Sequence, residues 1–149
     1  MPKPKNAFSA PIVFALPART PKNELKLYEI YNAMEMYDKA VTAFFAMEEL
    51  RGLPMPSAEQ ARLRNAYREG GIRSFWEVMV ESIPDKLPLH YRVAQHHARL
   101  GRTDNAFAHL QKAYDARDFD FILFLADPVF ERLNSDPRYA EMTNLLLKQ

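Results

Sequence analysis

The chain has 149 residues, 48% of them hydrophobic, with 20 basic and 19 acidic side chains and no cysteine. That is one domain's worth of chain, long enough to bury a core without metal or disulfide help, and its near-balanced charge argues against a dedicated nucleic-acid binder. The missing cysteine excludes disulfides, thiolate catalysis and Cys-ligated zinc; it fits a cytoplasmic location, although a periplasmic domain can also lack disulfides.

No apolar run approaches the ~20 residues needed to cross a bilayer. Near the start, Lys3 and Lys5 precede the apolar stretch Ile12 to Leu16, which Pro11 and Pro17 bracket. The stretch is shorter than the ~7–15 residues of a secretory apolar region. Residues 1–22 are therefore expected to form an extended, proline-rich arm, or to remain from a larger protein. Exposed apolar side chains want a surface, here the first helical hairpin or a second copy of the chain; in the second case the arm and an edge hairpin would build a homodimer, a structural role with no separate ligand that is the first alternative to binding.

Residues 23–149 read as a helical repeat domain. Leu27, Ile30, Tyr31 and Met34 recur at helical spacing, predicting an amphipathic helix from Asn23 to Met34. Ala40, Val41, Phe44, Phe45 and Met47 predict a second helix, ended by Gly52, Pro54 and Pro56. Helices joined by so few residues form an αα-hairpin, here residues 23–52. Ser57 and Gln60 have the spacing of a capping box, and Gly70-Gly71 is a stop signal. With the stripe Ile72, Phe75, Trp76, Met79, Val80 and Ile83, closed by Pro84, this predicts a second hairpin over 57–84. A third, over 88–117, follows from Leu89, Val93, Ala94, His97 and Leu100, a stop at Gly101, a Thr103 cap, and Ala106, Phe107, Leu110, Ala113 and Tyr114.

In the tail, residues 119–149, Phe121 to Leu125 is expected on a helix against the third hairpin. Asp127-Pro128 and Asp136-Pro137 each join a favoured cap to a proline tolerated at the first helical position. Two short helices should start there, with Phe130 and Tyr139 turned inward to close the end.

The hairpins recur at roughly 31–35 residues, the range of helix-turn-helix solenoid repeats. On Leu100-Gly101, Ala106, Leu110 and Ala113 the chain resembles the tetratricopeptide (TPR) family. The first hairpin agrees through Leu27, Tyr28, Tyr31, Ala40 and Phe44 but has Glu35 where the family prefers glycine. The second has Phe75 where a small residue is expected. From Ala98 to the paired Asp-Pro tail the chain is similar to the TPR tails of bacterial regulators, among them winged-helix transcription factors and Ser/Thr kinases. The resemblance implies an all-α, right-handed solenoid of about three hairpins with a C-terminal capping tail. It also implies a bacterial, regulatory or scaffolding protein-interaction role.

A solenoid leaves a concave face lined by the first helix of each hairpin. The expected peptide-binding groove comprises Glu29 and Asn32, then Gln60, Arg64, Tyr67 and Arg68, then Tyr91, Gln95 and Arg99. Arginine pairs with carboxylates and tyrosine offers rigid contact area, so the expected partner is a protein or peptide segment, acidic in character. The Lys/Asn pattern of the family's carboxylate clamp is not reproduced. His96 and His97 are adjacent and cannot share a metal on one helix face; His90 and His97 can share a face but lack an acidic partner at a helpful spacing. No metal or cofactor is called for, and no phosphate loop or nucleophile elbow points to an enzyme. Arg62, Arg64, Arg68 and Arg73 with Tyr67 and Trp76 leave RNA, or a small molecule, as a lesser alternative, diluted by Glu59, Glu69 and Glu77.

Overall fold

The computed structural model describes residues 18–83 and 89–148. Most of the expected arm, and the close of the second hairpin at Pro84, lie outside the described residues. Among those residues every regular element is helical and none is a strand. In order they are α1 (Pro21–Ala33), α2 (Tyr37–Leu50), α3 (Ser57–Ser82), α4 (His90–Arg99), α5 (Thr103–Asp115), the 3-10 helices η1 (Phe119–Ala126) and η2 (Pro128–Leu133), and α6 (Pro137–Leu147). The chain divides into two compact units, Met1–Pro54 and Met55–Gln149.

In the first unit Thr20 caps α1, its hydroxyl oxygen accepting from the Asn23 N–H at 3.1 Å. The helix closes with paired bonds from Met36 N–H to Tyr31 O at 2.8 Å and from Glu35 N–H to Asn32 O at 3.1 Å. This 6→1 and 5→2 pairing is a Schellman closure. It holds Glu35 left-handed, at φ 57°, and α2 returns along α1 with Phe44 centred 5.8 Å from the Tyr28 ring. The inward face of α1 differs from the expected one. Glu24, Tyr28 and Asn32 are buried, whereas Leu27, Ile30 and Met34 are exposed. Tyr28 neighbours Leu27 on the helix, and turning its larger ring onto Phe44 carries the i±4 row inward instead.

In the second unit the capping box does not form. Pro56 is the N-cap and Ser57 is already helical, one position too late for its hydroxyl to cap. Gln60 Nε2 donates to the Met55 carbonyl at 2.9 Å instead. Gly71, at φ 68° and ψ −161°, breaks α3. A straight helix would hold Arg62 and Glu81 about 28 Å apart at ~1.5 Å per residue, yet they form an ion pair. Ser82 bonds Glu59, and Tyr67 meets Phe75 edge-on at 6.3 Å. The two halves of α3 therefore fold back on each other about this one residue.

Helix α4 ends in another Schellman closure, with Gly101 at φ 72° and Arg102 N–H bonded to His97 O at 2.9 Å. Thr103 does not cap α5: Arg102 holds the cap position and no side chain bonds there. Ala94, Ala98, Ala106 and Ala113 lie buried at the core around Leu110, Phe121, Phe124 and Phe130. Small residues let α4 and α5 approach closely, and the tail phenyl rings fill the space left at the end of the pair.

Gly71 occupies a backbone region that is essentially glycine-only. Gly71→Ala should lower unfolding stability by about 1–3 kcal/mol in urea denaturation, although an added Cβ would meet no atom within 4 Å.

Candidate functional site

Leu89, at the N-cap position of helix α4, has no side-chain acceptor to cap it. The acceptors come from the tail. Asp118 Oδ2 takes the Tyr91 N–H at 3.2 Å, and Oδ1 takes Asp120 N–H at 3.1 Å. Asp127 caps η2 through Val129 N–H at 3.0 Å. Its second oxygen accepts from the Tyr91 hydroxyl at 3.0 Å and from Gln95 Nε2 at 2.7 Å. Asp136 caps α6 through Arg138 N–H at 3.0 Å; hydrogen bonds from the Arg138 side chain and backbone hold its carboxyl down at a pKa of about 2. The Arg138 guanidinium also pairs with Asp104 at 2.8 Å and lies over the Phe107 ring at 4.6 Å.

These contacts correct the expected groove. Tyr91 is 2% exposed, and Gln95 and Arg99 are each 8% exposed. Tyr91 and Gln95 converge on Asp127, and Arg99 lies over the Trp76 ring at 5.9 Å. Helix α4 is buried at Tyr91 and from Val93 to Arg99, which takes all three of its expected groove residues out of solvent. Gln60 is spent on the Met55 carbonyl. Tyr67 is half-buried, whereas Arg64 and Arg68 are exposed, Arg68 beside Glu69 at 3.7 Å. Glu29 and Asn32 belong to the first unit. Asn32 is buried, its side-chain amide turned back to the Tyr28 carbonyl at 2.8 Å.

Three histidines meet between α4 and α5. His109 stacks on His97 with ring centroids 5.3 Å apart and lies 5.8 Å from His90. Burial, then the neighbouring His109 and Arg102, lowers the His97 pKa to about 4. Burial, then Arg99, Arg92 and His97, pushes His96 well below its ordinary value. Stacked rings do not aim their nitrogens at one point, and among the described residues no group of three His, Asp or Glu is placed to hold a metal ion.

The surface that sequence reasoning missed is on η1. A 3-10 helix repeats every three residues, so side chains three apart eclipse in rows. Phe121 and Phe124 form the inward row at 1% and 0% exposure. Phe119, Ile122 and Leu125 form an outward row at 86%, 58% and 46%, with Leu123 beside them at 51%. Phe119 and Ile122 also line a cleft of about 750 Å³ with Tyr114, Asp115, Arg117, Asp118 and Lys148. The available signal was the phenylalanine spacing at 121 and 124 in an apolar run, which fits a three-residue repeat. In the first unit a smaller groove of about 360 Å³ runs past Arg19, Leu27, Tyr31 and Ala43. No protein-family model, curated protein or solved structure matches the chain.

Asp127→Ala removes the acceptor shared by Tyr91 and Gln95 and should cost about 1.5–3 kcal/mol, because hydrogen bonds to a charged group are lost in a part-buried site. Urea melts of the variant and of Asp127→Asn, which keeps a side-chain acceptor, measure this. His96 and His97 weaken the fold in acid. Their folded pKa values are depressed, so unfolding takes up protons and stability falls as pH drops from about 6.5, the unfolded value, toward the His97 value of about 4. His97→Phe keeps a ring against His109 and removes one proton site; its stability between pH 7 and pH 4.5 should fall less steeply than the parent's.

Proposed function

We propose that this chain is a non-enzymatic protein-interaction module of the TPR-like, helical-hairpin kind, and that its contact surface is the outward row of η1. The antiparallel pairs α1–α2 and α4–α5, the doubled-back α3 and the tail closing the α4–α5 end support the solenoid reading. So does Gly101 at the turn where the resemblance expects glycine. The regulatory or scaffolding role rests on that resemblance.

The observation that carries the proposal is the row Phe119, Ile122 and Leu125 with Leu123, four large apolar side chains left in water on one short helix. Single exposed apolar residues are ordinary, but a contiguous patch rimmed by charge marks a contact site. Its apolar centre and charged edge match the core-and-rim build of protein interfaces. The basic groove loses Tyr91, Gln95 and Arg99 to internal contacts, so binding is assigned to the tail.

A photo-crosslinking residue placed at Phe119 should give discrete adducts in the host cell. The same probe at Leu53, 92% exposed in the first unit, is the control. Adducts at 119 that disappear with Ile122→Asp support the reading; equal adducts at both positions, or none at 119, overturn it.

A further inference from the structure

The charge around the η1 row is of both signs, and this bears on what the row meets. Arg117 and Lys148 line one cleft with Asp115, beside Phe119 and Ile122. Among the described residues neither cation forms an ion pair or side-chain hydrogen bond, whereas Asp115 accepts one bond, from Gln111 at 2.9 Å. Arg117 is the left-handed residue closing α5, at φ 54°, with its N–H held by Tyr114 O at 3.0 Å. Its backbone is therefore fixed where the cleft begins. A strongly basic patch would select an acidic partner, and an acidic one a basic partner. A patch with an apolar centre and both charges on its rim complements itself.

We propose that the η1 row binds a second copy of this chain through a two-fold symmetric contact. The inference rests on the reading of the row as a contact surface and names its occupant. A two-fold interface sets the same patch on both partners, so each residue i that meets j is matched by j meeting i. Phe119 and Ile122 of one copy pack on the same row of the other. Arg117 of each copy then finds Asp115 of its neighbour, and Lys148 widens the basic side. The row supplies the dry centre and the charged residues the rim that excludes water around it.

Sedimentation velocity on the full chain over a concentration series tests this, with helicity checked by circular dichroism. The parent should pass from 17.3 kDa to twice that mass. Phe119→Asp should raise the dimer dissociation constant by about tenfold or more, as expected for a residue at the centre of an interface. Arg117→Glu and Asp115→Lys should each weaken self-association, and mixing the two should restore it, because one copy's new acid meets the other's new base. That recovery cannot come from a folding defect. A parent that stays at 17.3 kDa throughout overturns the inference, as does a dimer indifferent to Phe119→Asp but lost on deleting residues 1–17. If crosslinks from position 119 reach only a different protein, the contact surface stands and the self-pairing falls; if there are none, both fall.

Discussion

Helix α4 depends on two carboxylates that are not its own. It is buried along most of its length, and its N-cap, Leu89, offers no side-chain acceptor to its first backbone donors. A buried donor left without an acceptor costs about 1–3 kcal/mol. Asp118, 27 residues further along the chain, prevents this for the Tyr91 N–H, and Asp127, 36 residues on from Tyr91, does so for the Tyr91 hydroxyl and the Gln95 side-chain amide. The tail is therefore part of the hydrogen bonding of α4. The Schellman closure of α5 bears on the same bond, since the Asp118 N–H bonded to Ala113 O at 2.8 Å anchors the residue that accepts from α4.

Much of the helical layout could be read from residue order alone, and the failures share a cause. Asp127 and Asp136 were legible as caps because Asp-Pro capping is settled within three residues. Ser57 and Thr103 looked equally good, yet each lies one residue inside its helix, where the cap geometry is lost. On α1 the periodicity identified a helix but not its inward side, because Leu27 and Tyr28 are neighbours and only Phe44 decides between them. Glu35, the residue out of place for the resembled family, adopts the left-handed conformation that glycine would take without strain.

The candidate site was less legible, and helix type explains why. At 3.6 residues per turn the run from Phe119 to Ala126 also puts Phe121 and Phe124 on one side, so their spacing does not by itself tell the two windings apart. At three per turn it separates into rows, Phe121 and Phe124 inward and Phe119, Ile122 and Leu125 outward. An apolar octapeptide does not announce which winding it takes. Likewise, Tyr91, Gln95 and Arg99 have the composition of an exposed face; Asp127, from a distant part of the chain, takes the first two, and the Trp76 ring lies against the third.

That distance has a consequence for the order in which the polypeptide is made. The first unit joins Tyr28 to Phe44, so its hairpin can form soon after both have left the ribosome. Helix α4 leaves the exit tunnel well before Asp127 does, with the Tyr91 hydroxyl and the Gln95 side chain unanswered and its alanine face still wet. Domains tend to fold as units during synthesis, first unit first. A nascent chain stalled before Asp127 would thus present a finished first unit joined to an open second one, the kind of surface that chaperones and proteases survey.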